Sequence, residues 1–163
     1  MNRLATAALI LGSISFIIVI GGAVYEHLAV VPMWSSAVPA SLAMFQGEYG
    51  LKAQNFWIPI HPVTIALLLA AVILNWRTVR RMWILLPLVG YAIVLIITSI
   101  YFVPELLAIT QSPYEMRTDA GLTNRANLWE ALSLVRLGFL LVLAVLLLMG
   151  LSRPGERRAI APP

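Results

Sequence analysis

The sequence predicts an all-α protein: a four-transmembrane-helix antiparallel bundle with its N and C termini cytoplasmic. Three observations carry that prediction. The 163-residue chain is 61% hydrophobic and 11% charged, with mean hydropathy +0.91, whereas soluble domains run at about 45–50% apolar and roughly 25% charged. Its apolar residues fall into four runs of about 20–25 residues, long enough to cross a hydrocarbon core. Its arginines flank alternate ends of those runs, as the topology signals of membrane proteins do.

The first run, residues 4–25, contains no charge. Its opening, Met1-Asn2-Arg3, imitates a secretory signal, but the apolar stretch exceeds the 7–15 residues of such a signal, and it is read as a retained span. Residues 28–55 form an outer loop that is itself apolar at 30–34 and 42–45. That composition suits a re-entrant or lid-like segment, with a short helix starting near Ser41. The second run covers residues 56–76. His61 precedes Pro62, a proline suited to the first turn of a helix, which puts the imidazole at the outer mouth of the span. The third run covers residues 82–107, with Pro87 and Gly90 early and Pro104 late. The fourth covers residues 128–151, completing a single membrane domain over residues 1–151. The tail, 152–163, is basic, ends in Pro-Pro and is expected to be disordered.

Orientation follows from the basic residues in the flanks. Arg3, Arg77, Arg80, Arg81, Arg153, Arg157 and Arg158 lie on one side, against Lys52, Arg117 and Arg125 on the other. The richer side is cytoplasmic, so loops 28–55 and 108–127 face outward. The expected location is the bacterial inner membrane, with a polar pocket toward the periplasmic or extracellular side. Trp76 and Trp83 then fall at the inner interface, and Trp34, Trp57 and Trp129 at the outer one, as an aromatic belt would have them. Trp129 is the first to exempt from the belt, because it sits beside Glu130 and above Arg136.

Several function classes are excluded or weakened. The chain has no cysteine, so it has no disulfide, thiolate metal site or Cys nucleophile. Its net charge of +4 comes from arginines beside apolar runs, with no stripe interleaved with aromatics, so nucleic acid is not an expected partner. No phosphate loop or Ser-His-Asp arrangement can be read. Four spans without a detectable repeat are few for a carrier.

The ionisable residues gather at the outer ends of the spans: Glu26 and His27, His61, Glu105, then Asn127, Glu130 and Arg136. An ionisable side chain inside a span is costly and by default suggests function. Trp129, Ser133 and Arg136 follow i, i+4, i+7 spacing and share one helix face. Buried there, Arg136 needs an anion, and Glu26 or Glu105 is the expected partner. Gly21 and Gly22 give room for close helix approach or a ligand. Pro104 loosens the third helix and frees carbonyls to line a cavity. Imidazole and carboxylate together suit a first-row metal, and one histidine suffices for haem. A metal or haem through His27 or His61 therefore stays open, although no Glu-x-x-His or His-Glu-x-x-His occurs and no metal-ligand set is assigned.

These residues also carry a resemblance. Gly22-x-x-Tyr25 followed by Glu26-His27, the Asn75-Trp76-Arg77 turn, Tyr101-Phe102-x-Pro104-Glu105, and Asn127-x-Trp129 followed by Arg136 together resemble the anthrone-oxygenase-like family of small four-helix integral membrane proteins. The likeness spreads over roughly residues 10–150. It implies a four-helix membrane fold and, as in the fungal members, oxidation of a polycyclic phenolic substrate without an obvious cofactor. The Glu26-His27 pair and the long apolar outer loop depart from the family pattern.

The leading expectation is an oxygenase-like oxidoreductase acting on a small lipophilic, phenolic or quinone-like molecule in the outer half of the bundle. Arg136 binds an oxyanion, His27 or His61 moves a proton, and Glu26, Glu105 or Glu130 orients them. Trp129, Ser133, Tyr25, Asn127, Trp34 and Tyr101 contact the substrate. The alternatives are a non-catalytic binding or accessory protein and a haem- or metal-binding membrane protein. Expected partners are membrane lipid and the small lipophilic molecule, with a homo-oligomer left open.

Overall fold

The computed structural model describes residues 3–154; the expected tail from residue 155 onward lies outside the described residues. Four helices, α1 (Arg3–Ser35), α2 (Gln54–Leu74), α3 (Arg81–Thr110) and α4 (Ala120–Ser152), are each long and apolar enough to cross a membrane. The described residues contain no β-strand. Each helix is apolar around its whole circumference, as a membrane span is. On α1, Leu9, Phe16 and Val19 are buried while Leu11, Ile14 and Ile18 are exposed.

The helices form a ring in which α1 packs along α2 and α3 along α4, closed by contacts of α1 with α4 and of α2 with α3. Leu9, Phe16, Leu68, Ile84, Tyr91, Leu140 and Leu147 fill its centre. Gly90 permits a close approach of α3 to α4: a Cβ there would lie 2.9 Å from both methyls of Leu143. Gly22 likewise abuts the Phe56 ring, whereas Gly21 faces open space.

At one end, the Arg80 side chain is 5% exposed. It donates to the Arg153 carbonyl at 2.8 Å, the Thr6 hydroxyl at 2.9 Å and the Leu151 carbonyl at 3.4 Å. Beside it the buried Asn75 amide donates to the carbonyls of Ala5 and Ala71, each at 2.9 Å. These bonds bring the start of α1, the α2–α3 turn and the end of α4 to the Arg80 end. At the other end, the Ser35 hydroxyl donates to the Glu130 carboxylate at 2.8 Å. Ring neighbours are therefore antiparallel.

Two helices continue past the expected ends of their spans. The first span was expected to end at Tyr25, but α1 runs on to Ser35 through a π-helical turn at Glu26–Val30. Likewise α3 passes through a π-helical turn at Thr98–Phe102 and reaches Thr110. Each π turn is followed by Val-Pro, Val31-Pro32 in α1 and Val103-Pro104 in α3. A proline inside a helix donates no hydrogen bond, and its ring crowds the carbonyl four residues back. Widening the preceding turn by one residue relieves that crowding without ending the helix.

The helix α2 departs from expectation in a similar way. It begins at Gln54 and contains both Pro59 and Pro62. Pro62 is thus not at the first turn, and His61 lies about two turns inside the helix.

A 33-residue helix is about 50 Å long at 1.5 Å per residue, well beyond the roughly 30 Å hydrocarbon core. The surplus at the end opposite Arg80 has an apolar core of its own. Val31, Trp34, Val38, Leu42, Phe102, Ile109, Ala126 and Trp129 are buried together there. Residues 36–53, with a 3-10 turn at Ala40–Phe45, fold across this core. The Asp119 amide fastens them to the start of α4 by donating to the Val38 carbonyl at 2.8 Å.

Candidate functional site

The π turn in α1 carries His27, which is 8% exposed. Its Nδ1 lies 2.8 Å from the Ala23 carbonyl. A carbonyl only accepts, so Nδ1 holds the hydrogen and Nε2 holds the lone pair. That Nε2 is buried and meets no hydrogen-bond partner among the described residues. The imidazole stacks on Trp129, with centroids 6.5 Å apart and planes 4° apart. Trp129 is fixed in turn. Its indole N–H donates to the Phe102 carbonyl at 2.9 Å, and its ring meets Trp34 at 5.6 Å and Phe102 at 6.0 Å.

The face of α4 predicted by its spacing continues from Trp129 through the buried Ser133 to Arg136. The guanidinium donates to the Ser133 hydroxyl at 2.7 Å and to the Thr98 hydroxyl at 3.1 Å. Its Cζ lies 4.1 Å from the centre of the Phe102 ring. Thr98 and Phe102 are the first and last residues of the α3 π turn, so that turn supplies a hydroxyl and a π face to one cation. Among the described residues no carboxylate approaches Arg136 within 4.0 Å, so the expected direct ion pair with Glu26 or Glu105 is not formed. Glu26 acts on it electrostatically across a gap.

A second arm lies against α2. The Glu26 carboxylate accepts the Trp57 indole N–H at 2.7 Å, and Trp57 stacks on His61 with centroids 5.5 Å apart. His61 Nδ1 is 2.6 Å from the hydroxyl of the buried Tyr91. Deeper still, the Ser15 and Thr64 hydroxyls meet at 2.7 Å.

Counting 1.5 Å per residue from the Arg80 end places these groups at different depths. His61 stands about 20 Å along α2, Arg136 about 24 Å along α4, and His27 about 36 Å along α1. If the hydrocarbon begins near that end and is about 30 Å thick, His61 and Arg136 lie within it and His27 at its far margin. His61 is therefore not at an outer mouth. The site is a polar column with His27 at its top, beneath the second apolar core.

Other expected members are elsewhere. Glu105 forms a bidentate pair with Arg125, at 2.8 and 2.9 Å, on the outside of the helices. It neither neutralises Arg136 nor orients a histidine. Glu130 is taken by Ser35 and orients no histidine either. Tyr25, Asn127 and Tyr101 are exposed; only Tyr101 touches the cluster, edge-on to Phe102 at 5.2 Å. Trp34, at 2% exposure, is a core residue packed on Trp129 rather than an interface anchor. Trp57, read as a belt residue, instead links Glu26 to His61.

Sequence reasoning missed Tyr91, Thr98, Phe102, Thr64 and Ser15. The available signals were slight: hydroxyls within apolar runs, and Thr64 three residues after His61 on the same helix face. Among the described residues, no three His, Asp or Glu side chains gather in a way that could hold a metal ion.

The column offers a buried acceptor at His27 Nε2 and a buried cation at Arg136, groups that can accept a hydrogen and stabilise negative charge. The chain matches no protein-family model, no curated protein and no solved structure.

Proposed function

We propose that this integral membrane protein binds a small lipophilic, phenolic or quinone-like molecule below its second apolar core and acts on it as an oxygenase-like oxidoreductase. The observation that carries this reading is His27 Nε2, a buried acceptor with no partner among the described residues. A buried polar atom left unpaired costs about 1–3 kcal/mol. Asn75 Oδ1 at the Arg80 end is the other buried side-chain acceptor without a partner among the described residues, but only the imidazole nitrogen can take up a proton near neutral pH. A ligand hydroxyl would complete His27 and pass it a proton, and negative charge delocalised over a polycyclic ligand reaching down the column would meet Arg136. The resemblance to the anthrone-oxygenase-like family supports the same chemistry, with dioxygen as oxidant.

The test uses purified protein in lipid nanodiscs with a polycyclic phenol as probe. The expected result is saturable quenching of tryptophan fluorescence together with oxygen uptake above that of empty nanodiscs. Quenching without oxygen uptake would favour a binding or accessory role. Neither signal would overturn the reading.

The proposed setting is the bacterial inner membrane, with both termini cytoplasmic and the His27 end outward. The support is the basic excess at the Arg80 end. Because the chain lacks cysteine, single cysteines report sidedness cleanly. In intact cells an impermeant maleimide should label Glu48→Cys and spare Arg77→Cys, both at exposed positions. The reverse pattern would invert the proposed orientation.

A further inference from the structure

The two histidines differ in the atom that their neighbours hold. For His27, a carbonyl fixes the hydrogen on Nδ1. For His61, the partner of Nδ1 is a phenol, which can donate or accept. Tyr91 is 1% exposed; its hydroxyl lies 2.6 Å from His61 Nδ1, and the Thr64 hydroxyl is also within its reach. Were Nδ1–H to donate, the Tyr91 hydroxyl hydrogen would need another acceptor. The nearest candidate is Thr64, which lies close by. Thr64 spends its own hydrogen on the Ile60 carbonyl at 2.8 Å. In the Ser15–Thr64 contact Ser15 must therefore be the donor, which occupies one of the two Thr64 lone pairs. Thr64 could take the Tyr91 hydrogen on its second lone pair, but a phenol is a stronger donor than a neutral imidazole N–H and an imidazole nitrogen a stronger acceptor than a hydroxyl, so the 2.6 Å contact has Tyr91 donating to His61 Nδ1.

We infer that Tyr91 is a positioning residue that holds His61 as the Nε2–H tautomer, opposite to the tautomer of His27. One imidazole then presents a lone pair and the other an N–H. Trp57 keeps the second ring in place by stacking on it and anchoring its own indole to Glu26. His27 is thereby suited to take a proton, while His61, near Arg136, is suited to donate a hydrogen bond to negative charge. That consequence rests on reading the column as a proton-moving centre; the tautomers do not.

The test is nitrogen NMR of protein labelled with 15N-histidine, in nanodiscs without ligand, at a pH of about 8 where ordinary imidazoles are neutral. His27→Gln and His61→Gln assign the two sets of resonances. The wild type should show Nδ1 protonated in His27 and Nε2 protonated in His61. Tyr91→Phe keeps the ring against Phe16, whose centroid is 5.0 Å away. It should shift the His61 Nδ1 resonance toward that of an unbonded nitrogen and leave His27 unchanged. Thr64→Val should move neither. The inference is overturned if wild-type His61 carries its hydrogen on Nδ1, or if Tyr91→Phe leaves its resonances in place. Because no ligand is present, either failure would leave the proposed lipophile site to be judged by the binding and oxygen-uptake assays.

Discussion

His27→Ala is expected to abolish turnover of the proposed phenolic substrate while leaving the four helices folded. Positioned proton transfer contributes about 10²–10⁴-fold to a rate, and a loss of that size is expected. The effect on stability should be small. The substitution removes one hydrogen bond, to Ala23, and a stacked contact with Trp129. It also removes a buried acceptor that has no protein partner, so part of the loss is offset. His27→Phe sharpens the test, because it retains an aromatic ring against Trp129 and has no base. It should be as inactive as alanine and at least as thermostable as wild type, the pattern expected where a site trades stability for function. Arg136→Ala should also inactivate, by removing the cation that faces the developing charge. Wild-type turnover in both alanine variants would sink the proposed chemistry.

The same residues show how far a sequence can be read. The four helices follow from composition and run length, because covering so much apolar surface needs lipid along nearly the whole chain. The face shared by Trp129, Ser133 and Arg136 follows from helical periodicity, a property of one helix. What periodicity cannot supply is the register of one helix against another. Glu105 seemed available to Arg136, but α3 carries it to Arg125 on the outer surface. The π turns compounded the difficulty, since each adds a residue to a turn and rotates everything after it. The Glu26-His27 pair reads as the end of the first apolar run, yet α1 continues through Val31-Pro32, as α3 does through Val103-Pro104. His61 was misplaced for a related reason. A proline preference for the first turn is statistical, and tertiary packing holds α2 helical through two prolines.

Arg80 is the residue whose importance composition hides most, and its removal should cost the bundle more than any other arginine of the basic end. As one of seven positive charges on that side it reads as a topology signal. In the fold it is buried and joins α1, the α2–α3 turn and the last carbonyls of α4. Hydrogen bonds involving a charged group contribute about 1.5–3 kcal/mol each. Two of the three bonds are short and one is long, and water near this end can resolvate the freed carbonyls. Arg80→Ala should therefore destabilise by roughly 2–4 kcal/mol, or a fall in melting temperature of roughly 5–15 °C for a chain of this size. Arg80→Lys should fall between, since an ammonium cannot span the fork of acceptors that the guanidinium reaches. The control is Arg77→Ala, an exposed arginine in the same turn, where a change within about 0.5 kcal/mol is expected. The two alanine variants subtract the same charge from the same flank, so their effect on orientation should match. A melting temperature that falls only for Arg80 separates its role in packing from its role in topology; equal melting temperatures would show that charge count alone accounts for it.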